Sequence, residues 1–154
     1  MPRLPLKKGR NKKQNTTVLV GGCFDVLHLG HVTFLEKAKK MGDKLVVLLE
    51  SDENIKKGKG NNRPINNQEN RAKMLMSLRM VDEVIKLPEM KTDEEYFVLI
   101  KKIKPSIIAI TDGDKRIFQK KEQAKIVGAK VVEVTPLIPQ QSTSQVIEII
   151  SKDF

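Results

Sequence analysis

The chain has 154 residues, a formal net charge of +10 and one cysteine, Cys23. This length predicts a single domain that buries about two thirds of its unfolded surface without disulfides or a structural metal, and the lone cysteine excludes an intrachain disulfide and points to a reducing compartment. Because the apolar runs are too short for a transmembrane helix and the N-terminus lacks the apolar middle of a secretory signal, we expect a soluble, cytoplasmic protein.

The positive charge is concentrated at the N-terminus, where residues 1–15 carry +6 and the rest of the chain only +4. These fifteen residues also contain two prolines, a glycine and two asparagines. Because such a composition does not pack, we predict a disordered basic tail at 1–15 and a single domain at 16–154. A second interpretation, contact of this tail with nucleic acid or a membrane surface, stays open.

From residue 16 onward, short β-rich runs alternate with helical patterns. The predicted strands are residues 16–22, 44–51, 81–87, 105–111 and 129–135. The predicted helices are residues 30–42, 68–80, 92–104, 115–128 and 142–152. Strands that alternate with helices of this length predict an α/β fold with a doubly wound, parallel five-stranded sheet, which binds ligands at the carboxyl ends of its strands.

Local signals refine these elements. Thr92 is expected to cap one helix and Ser142 or Thr143 the last one, while Gly42 and Gly128 end two others. The segment "SDENIKKGKGNNRPINN" between the second strand and the second helix is predicted to be a polar, basic loop. The buried side of helix 68–80 is expected to consist of Ala72, Leu75, Met76 and Leu78.

The two histidines, His28 and His31, stand where the first strand passes into the first helix. A helix N-terminus there offers free amides and a partial positive charge to an anion, and glycines 21, 22 and 30 allow close backbone approach. We therefore expect these imidazoles to donate hydrogen bonds to phosphate. A zinc site with Cys23 or Asp25 and a purely structural role are the alternatives.

The spacing H-x-G-H is the signature of the nucleotidyltransferase superfamily, and the surrounding residues extend the resemblance. The run "GGCFDVLHLGHVTFLEKAKKMGDKLVV" resembles the opening of its cytidylyltransferase-like branch. The segment "SDENIKKGKGNNRPINNQENR" followed by "VDEVI" most resembles the bacterial heptose 1-phosphate adenylyltransferase domain. The likeness runs from about residue 17 to 150 and is shared with glycerol 3-phosphate cytidylyltransferases and archaeal-type FAD synthases.

The resemblance implies a Rossmann-like nucleotidyltransferase fold and a reaction in which a phosphorylated acceptor attacks the α-phosphorus of a nucleoside triphosphate and expels pyrophosphate. Chemistry of this kind depends on positioning and charge stabilisation. Mg²⁺ would be bound mainly through the triphosphate, with no protein side chain as a metal ligand. The residues that match the family's catalytic positions are His28, His31, Lys56 and Lys59.

The resemblance also implies binding residues. Those for the nucleotide and its phosphates are Gly22, Cys23, Phe24, Asp25, Gly30, Arg71, Asp112, Gly113, Asp114, Ser142, Thr143 and Ser144. Those for the acceptor are Lys57 and Arg63. Simpler alternatives stay open: solvated lysines, a surface arginine at 63, ordinary helix capping by Ser142–Ser144, a structural Asp25, and a packed rather than nucleophilic Cys23.

We therefore expect an enzyme whose partners are a nucleoside triphosphate, with ATP favoured, and a sugar 1-phosphate such as heptose 1-phosphate. Cytidylyl transfer to glycerol 3-phosphate and adenylyl transfer to FMN are the alternatives. A nucleotide- or nucleic-acid-binding module without activity is the alternative from another class. No membrane partner is expected, nucleic acid only through the basic tail, and a homodimer would agree with similar proteins.

Overall fold

The computed structural model describes residues 15–136 and 142–153. Its five strands are β1 (Thr17–Gly22), β2 (Lys44–Leu49), β3 (Glu83–Lys86), β4 (Ile107–Thr111) and β5 (Lys130–Thr135). They form one parallel sheet in the order β3-β2-β1-β4-β5. The predicted α/β class and the five-stranded parallel sheet are confirmed. All of the predicted tail except Asn15 lies outside the described residues.

Six helices are present in the described part of the chain. They are α1 (Leu29–Lys40), α2 (Asp52–Lys59), α3 (Gln68–Met76), α4 (Asp93–Ile103), α5 (Ile117–Val127) and α6 (Thr143–Asp153). Ser142 caps α6, because its hydroxyl accepts from the Gln145 amide at 3.2 Å. Gly128 ends α5 with a φ of 71°, in the left-handed region that favours glycine.

The prediction of a loop at the lysine-rich segment was wrong, since its first part forms α2. The Ser51 hydroxyl caps this helix by accepting from the Asn54 amide at 3.1 Å, and Ile55 anchors it with only 2% of its surface exposed. The helix ends at Gly60, whose φ is 98°. The lysines of this segment are therefore carried on a short helix that is anchored to the domain.

Helices cover both faces of the sheet. Neighbouring residues of β1 point to opposite faces and are nevertheless all buried between Val18 and Val20. Val18 and Val20 pack on the face covered by α1 and α3, whereas Leu19 packs on the face covered by α4 and α5. The prediction that Met76 is buried was wrong, because half of its surface is exposed. Arg71 is instead fully buried on α3 beside Leu75.

The order of the strands places a crevice between the ends of β1 and β4. These neighbours pair in parallel, but the helices that follow them, α1 and α5, pack on opposite faces. A parallel sheet binds ligands at such a switch point. None of the helices among residues 15–136 and 142–153 is long and apolar enough to cross a membrane.

We predict that Leu35→Ala lowers the free energy of unfolding by about 2–5 kcal/mol, because Leu35 is fully buried in the core under α1. The matched control is Leu29→Ala on the same helix, where 60% of the side chain is exposed. Urea denaturation of both variants measures the difference. Equal losses in the two variants would contradict this assignment of the core.

Candidate active site

His28 lies at the N-terminus of α1 and caps its own helix. Its Nδ1 accepts a hydrogen bond from the Gly30 amide at 3.0 Å. Because that nitrogen is an acceptor, the proton of the neutral ring is on Nε2. Nε2 is buried and has no hydrogen-bond partner among the described residues. His28 thus holds an unpaired donor at the end of the sheet.

The ring of His31 stacks on that of His28, with centroids 3.8 Å apart. Its Nδ1 is also buried and finds no hydrogen-bond partner within residues 15–136 and 142–153. Phe24 lies on another side of His31, with ring centroids 5.1 Å apart. A Cβ at Gly22 would come within 2.9 Å of the Phe24 ring, so this strand end requires glycine. The three rings and the glycine form one packed unit.

Both imidazoles have a lowered pKa. Burial lowers the pKa of His28. Burial lowers that of His31 to about 3, with further contributions from the positive charges of His28 and Lys59. Two stacked imidazolium ions would repel each other in a partly dry site. At neutral pH the pair therefore consists of two neutral rings that act as hydrogen-bonding groups.

A cavity of about 230 Å³ adjoins the histidines. It is lined by His28, Gly30, His31, Phe34, Lys59, Thr111, Thr135, Pro136, Ser142 and Thr143. The N-termini of α1 and α6 both border it, and the first amides of a helix have no partner within the helix. With neutral donors, helix amides and one lysine, this cavity has the chemistry of an anion site.

Several predicted residues meet in this cavity and others do not. His28, His31, Lys59 and the Ser142–Thr143 pair line it. Lys56 is exposed on α2, and Ser144 is exposed on α6. Neither of them lines one of the four cavities at this end of the sheet. The contacts predicted for these two residues stay predictions.

A second cavity of about 180 Å³ continues from the first and shares His31 and Thr111 with it. The predicted residues Gly22, Cys23, Phe24 and Asp114 line it. The Asp114 carboxylate accepts from Lys120 Nζ at 2.6 Å and from the Arg116 amide at 2.8 Å.

The other two members of the predicted β4–α5 turn do not line this cavity. Asp112 and Gly113 are exposed in the turn before Asp114. The Asp112 amide donates to the Thr135 carbonyl, which joins the ends of β4 and β5. A φ of 73° at Gly113 gives the turn its sharp bend.

Asp25 and Arg63 form a buried pair. The Asp25 carboxylate accepts from Arg63 Nε at 2.9 Å and from the amides of Ile65 and Asn66 at 2.8 and 2.9 Å. Burial alone would raise the pKa of Asp25, but these hydrogen bonds outweigh it and lower the pKa. The Arg63 guanidinium is held through Nε by this carboxylate and joins two loops, while its Nη2 is buried without a hydrogen-bond partner among the described residues. The acceptor contact predicted for Arg63 stays a prediction. Asp25 takes the structural role that stood as its alternative.

The phosphate contact predicted for Arg71 is corrected. Its side chain is completely buried, with Nη1 donating to the Cys23 carbonyl at 2.7 Å. Nη2 donates to the Glu50 carbonyl at 3.0 Å and to the Asp52 carboxylate at 2.6 Å, and Nε donates to the Asn66 carbonyl at 2.9 Å. These bonds turn the guanidinium toward the backbone, so Arg71 supports the site from beneath.

A wider groove of about 840 Å³ lies beside α2 and contains two of the predicted lysines, Lys57 and Lys59. Lys57 is paired with Glu89. Cys23 also borders this groove, and burial raises the pKa of its thiol, while the charges of Lys59 and Arg71 act in the opposite direction. The thiol is therefore protonated at neutral pH, which agrees with a packed rather than nucleophilic cysteine.

Two further residues that were not predicted from the sequence also line the cleft. Thr135 lines the histidine cavity from the end of β5, and Lys120 borders the second cavity from α5. The position of Thr135 at the carboxyl end of a predicted parallel strand was a usable signal. Lys120 gave no signal, because it is one of several lysines on a basic helix.

Comparisons with known proteins identify the family of this chain. The family model described as Cytidylyltransferase-like matches residues 19–149, most of the chain. The chain belongs to the cytidylyltransferase-like family. It therefore contains a nucleotidyltransferase domain with the Rossmann-like fold that the H-x-G-H resemblance implied.

Two kinds of curated relative share this domain. The bifunctional protein HldE of Nitratiruptor sp. is 39% identical over 143 residues, which cover 93% of this chain and 29% of that protein. The FAD synthase of Pyrococcus abyssi is 41% identical over 142 residues, covering 89% of this chain and 93% of that protein. The chain thus spans less than a third of HldE and nearly all of the FAD synthase.

Solved structures give the same fold. A lipopolysaccharide core biosynthesis protein from Thermoplasma volcanium matches with a TM-score of 0.64 at 26% identity, over 81% of this chain and 98% of that one. A pantoate-beta-alanine ligase from Francisella tularensis matches with a TM-score of 0.59 at 18% identity, over 91% of this chain and 70% of that one. The second likeness concerns the fold alone.

We predict that Arg71→Met lowers the free energy of unfolding by about 3–5 kcal/mol, because it leaves buried carbonyls and a carboxylate without their donor. The control is Arg79→Met, at an exposed arginine just beyond α3. Guanidinium denaturation compares the two variants. A loss below about 1 kcal/mol at Arg71 would show that the guanidinium is not needed there.

We predict that stability falls when the pH drops from 7 to 5. A His31 pKa of about 3 in the folded protein means that the unfolded chain binds more protons below pH 6.5. The loss from this residue is about 2 kcal/mol at pH 5. Denaturation at both pH values should show a smaller loss of unfolding free energy for His31→Asn than for the unsubstituted protein. His28, Lys59 and Asp25, the other groups that influence the pKa of His31, are the same in both proteins. An equal fall in both proteins would contradict the assignment.

Proposed function

We propose that this chain transfers a nucleoside monophosphate from a nucleoside triphosphate, with ATP the favoured donor, to a phosphorylated acceptor, and releases pyrophosphate. The observation that carries this proposal is a pair of buried nitrogens, one on His28 and one on His31, that have no hydrogen-bond partner in the part of the chain that the structure describes. They lie in a cavity bordered by Lys59 and by two helix N-termini. Heptose 1-phosphate, glycerol 3-phosphate and FMN are the candidate acceptors.

The proposed reaction is an in-line displacement. An oxygen of the acceptor phosphate forms a bond to the α-phosphorus, the bond from that phosphorus to the bridging oxygen breaks, and pyrophosphate leaves with the bonding electrons. Negative charge grows on the equatorial and leaving oxygens. We propose that the Nε2–H of His28, a buried donor without a partner among the described residues, donates to such an oxygen.

The β- and γ-phosphates have a complementary site at the other side of the cavity. Ser142 and Thr143 supply hydroxyls at the start of α6, and the partial positive charge of this helix N-terminus favours an anion. The Gln145 amide already donates to the Ser142 hydroxyl. Lys59 adds a full positive charge from α2. The acceptor phosphate would approach from the side of the lysine-bordered groove, where its repulsion from the triphosphate is reduced.

Mg²⁺ is proposed to enter with the triphosphate, because this ion keeps several waters and binds largely through substrate phosphates. Within the described ranges, no group of three or more His, Cys, Asp or Glu side chains is placed to hold a metal by itself. When bound, the ion neutralises part of the triphosphate charge. We propose a cytoplasmic reaction; self-association and any nucleic-acid contact of residues 1–15 stay predictions.

We predict that His28→Ala lowers kcat for pyrophosphate release about 10²–10³-fold, the usual effect of losing one donor to a developing oxyanion. The assay supplies Mg²⁺ and either ATP or CTP, with heptose 1-phosphate, glycerol 3-phosphate or FMN in turn. Circular dichroism of each variant checks that the fold is intact.

The control for this assay is Leu29→Ala. Leu29 adjoins His28 in sequence but is 60% exposed and lines none of the four cavities. It should retain turnover within about twofold. Near-normal turnover in a variant with alanine at both 28 and 31 would eliminate the proposed mechanism.

A further inference from the structure

A separate cavity of about 230 Å³ lies on the other face of the sheet, between α4 and α5. Neither histidine lines it. It nonetheless adjoins the second cavity beside His31, because Gly21, Gly22 and Lys120 line both cavities. A molecule that filled it would reach the triphosphate site across the end of β1.

The walls of this cavity are largely the hydrophobic core of that face. Leu19, Leu48, Leu87, Ile100 and Ile108 all line it and are all at most 6% exposed. They come from β1, β2, β4, α4 and the segment after β3. The cavity between α4 and α5 is therefore lined by apolar side chains that are nearly closed to bulk solvent, a lining that suits a flat apolar group.

Two amide side chains of α5, Gln119 and Gln123, stand four residues apart and both line this cavity. The Oε1 of Gln119 is buried without a hydrogen-bond partner in residues 15–136 and 142–153. Only 8% of Gln123 is exposed. An amide offers both a donor and an acceptor, and a buried acceptor without a partner is costly. This pair is suited to a ligand with a mixed donor and acceptor edge.

On the opposite wall of the cavity, the polar side chains already have hydrogen-bond partners within the protein. Tyr96 donates to one oxygen of Glu50 at 2.8 Å, and Asn54 donates to the other at 2.9 Å. Burial and this carboxylate raise the pKa of Tyr96 to about 12. Glu50, Tyr96 and Arg116 are shared with the basic groove, so the apolar cavity opens toward positive charge.

These features distinguish two classes of acceptor. Each hydroxyl of a sugar ring needs a partner when it leaves water, and the leucine and isoleucine walls offer none. A flat heterocycle presents apolar faces to those walls and directs its polar edge to the two amides. Its phosphate would lie toward the groove beside α2 that contains Lys57 and Lys59.

We propose that this cavity holds the body of the acceptor, and that the acceptor is a phosphate ester that carries a flat heterocyclic ring, with Gln119 and Gln123 as its specificity-determining residues. This inference rests on the proposed function. It deepens that function by selecting, among phosphorylated acceptors, the class that the cavity fits.

The test uses the full chain with riboflavin, FMN and heptose 1-phosphate as probes. Riboflavin has the ring but no phosphate, so quenching of its fluorescence reads the cavity without any reaction. We expect riboflavin and FMN to bind, and FMN to support pyrophosphate release from ATP at least tenfold more efficiently than heptose 1-phosphate.

Gln119→Leu should raise the KM for FMN about tenfold, the effect of losing one hydrogen bond to a buried ligand group. It should leave the KM for ATP within twofold. Thermal stability should be unchanged or higher, because the substitution removes an unpaired buried oxygen. The control is Ile126→Ala on the same helix, where 61% of the side chain is exposed.

The contrary outcomes are distinct. Pyrophosphate release with heptose 1-phosphate but not FMN would overturn the inference and leave the proposed function intact. An effect of Gln119→Leu on the KM for ATP alone would show that the nucleotide base occupies the cavity, which also overturns it. Absence of release with all acceptors removes the proposed function, and absence of riboflavin binding then removes the inference independently.

Discussion

The buried guanidinium of Arg71 fixes the parts of the chain between which the cleft lies. One side chain donates to the carbonyl after β1 at Cys23, to the carbonyl after β2 at Glu50, and to the carboxylate of Asp52 at the start of α2. A fully buried charge is tolerated only with such complete pairing. The distance between the histidine loop and the lysine-bearing helix is thereby set before any ligand binds.

In this cleft, different groups supply the hydrogen bonds and the positive charge. The stacked imidazoles are neutral because burial and mutual repulsion oppose protonation. Lys59 contributes a full charge in the same cavity, and the N-termini of α1 and α6 contribute partial ones. A site of this kind avoids the cost of packing several cations together, yet it presents hydrogen-bond donors in fixed directions. Such preorganisation is what phosphoryl chemistry requires of a protein.

Much of the fold was readable from the sequence, because the alternation of apolar strands and amphipathic helices is a local pattern. The position of His28 and His31 followed from the same pattern, since a strand end and a helix start meet there. The roles of Arg63 and Arg71 were not readable. Both lie in polar stretches, and only the tertiary structure decides whether a guanidinium turns outward or toward a buried carbonyl or carboxylate.

Helix α2 illustrates the same limit. Its glycine and lysines suggested a loop, but a capping serine at 51 and one buried isoleucine at 55 were enough for two helical turns. The cavity between α4 and α5 was equally hidden. It exists because side chains from several elements fail to meet, which no local pattern records.

The histidine cavity and the apolar cavity are lined by different helices, and this separation has an evolutionary consequence. The histidine cavity is lined by residues at the starts of α1 and α6 and at the end of α2, whereas the apolar cavity is enclosed by α4 and α5. Apart from Lys120, which also borders the second cavity beside His31, residues of α4 and α5 line neither cavity that contains a histidine, so substitutions there leave the histidines undisturbed. Two lineages that start from one ancestor can exchange one small molecule for another while the chemical step is inherited unchanged.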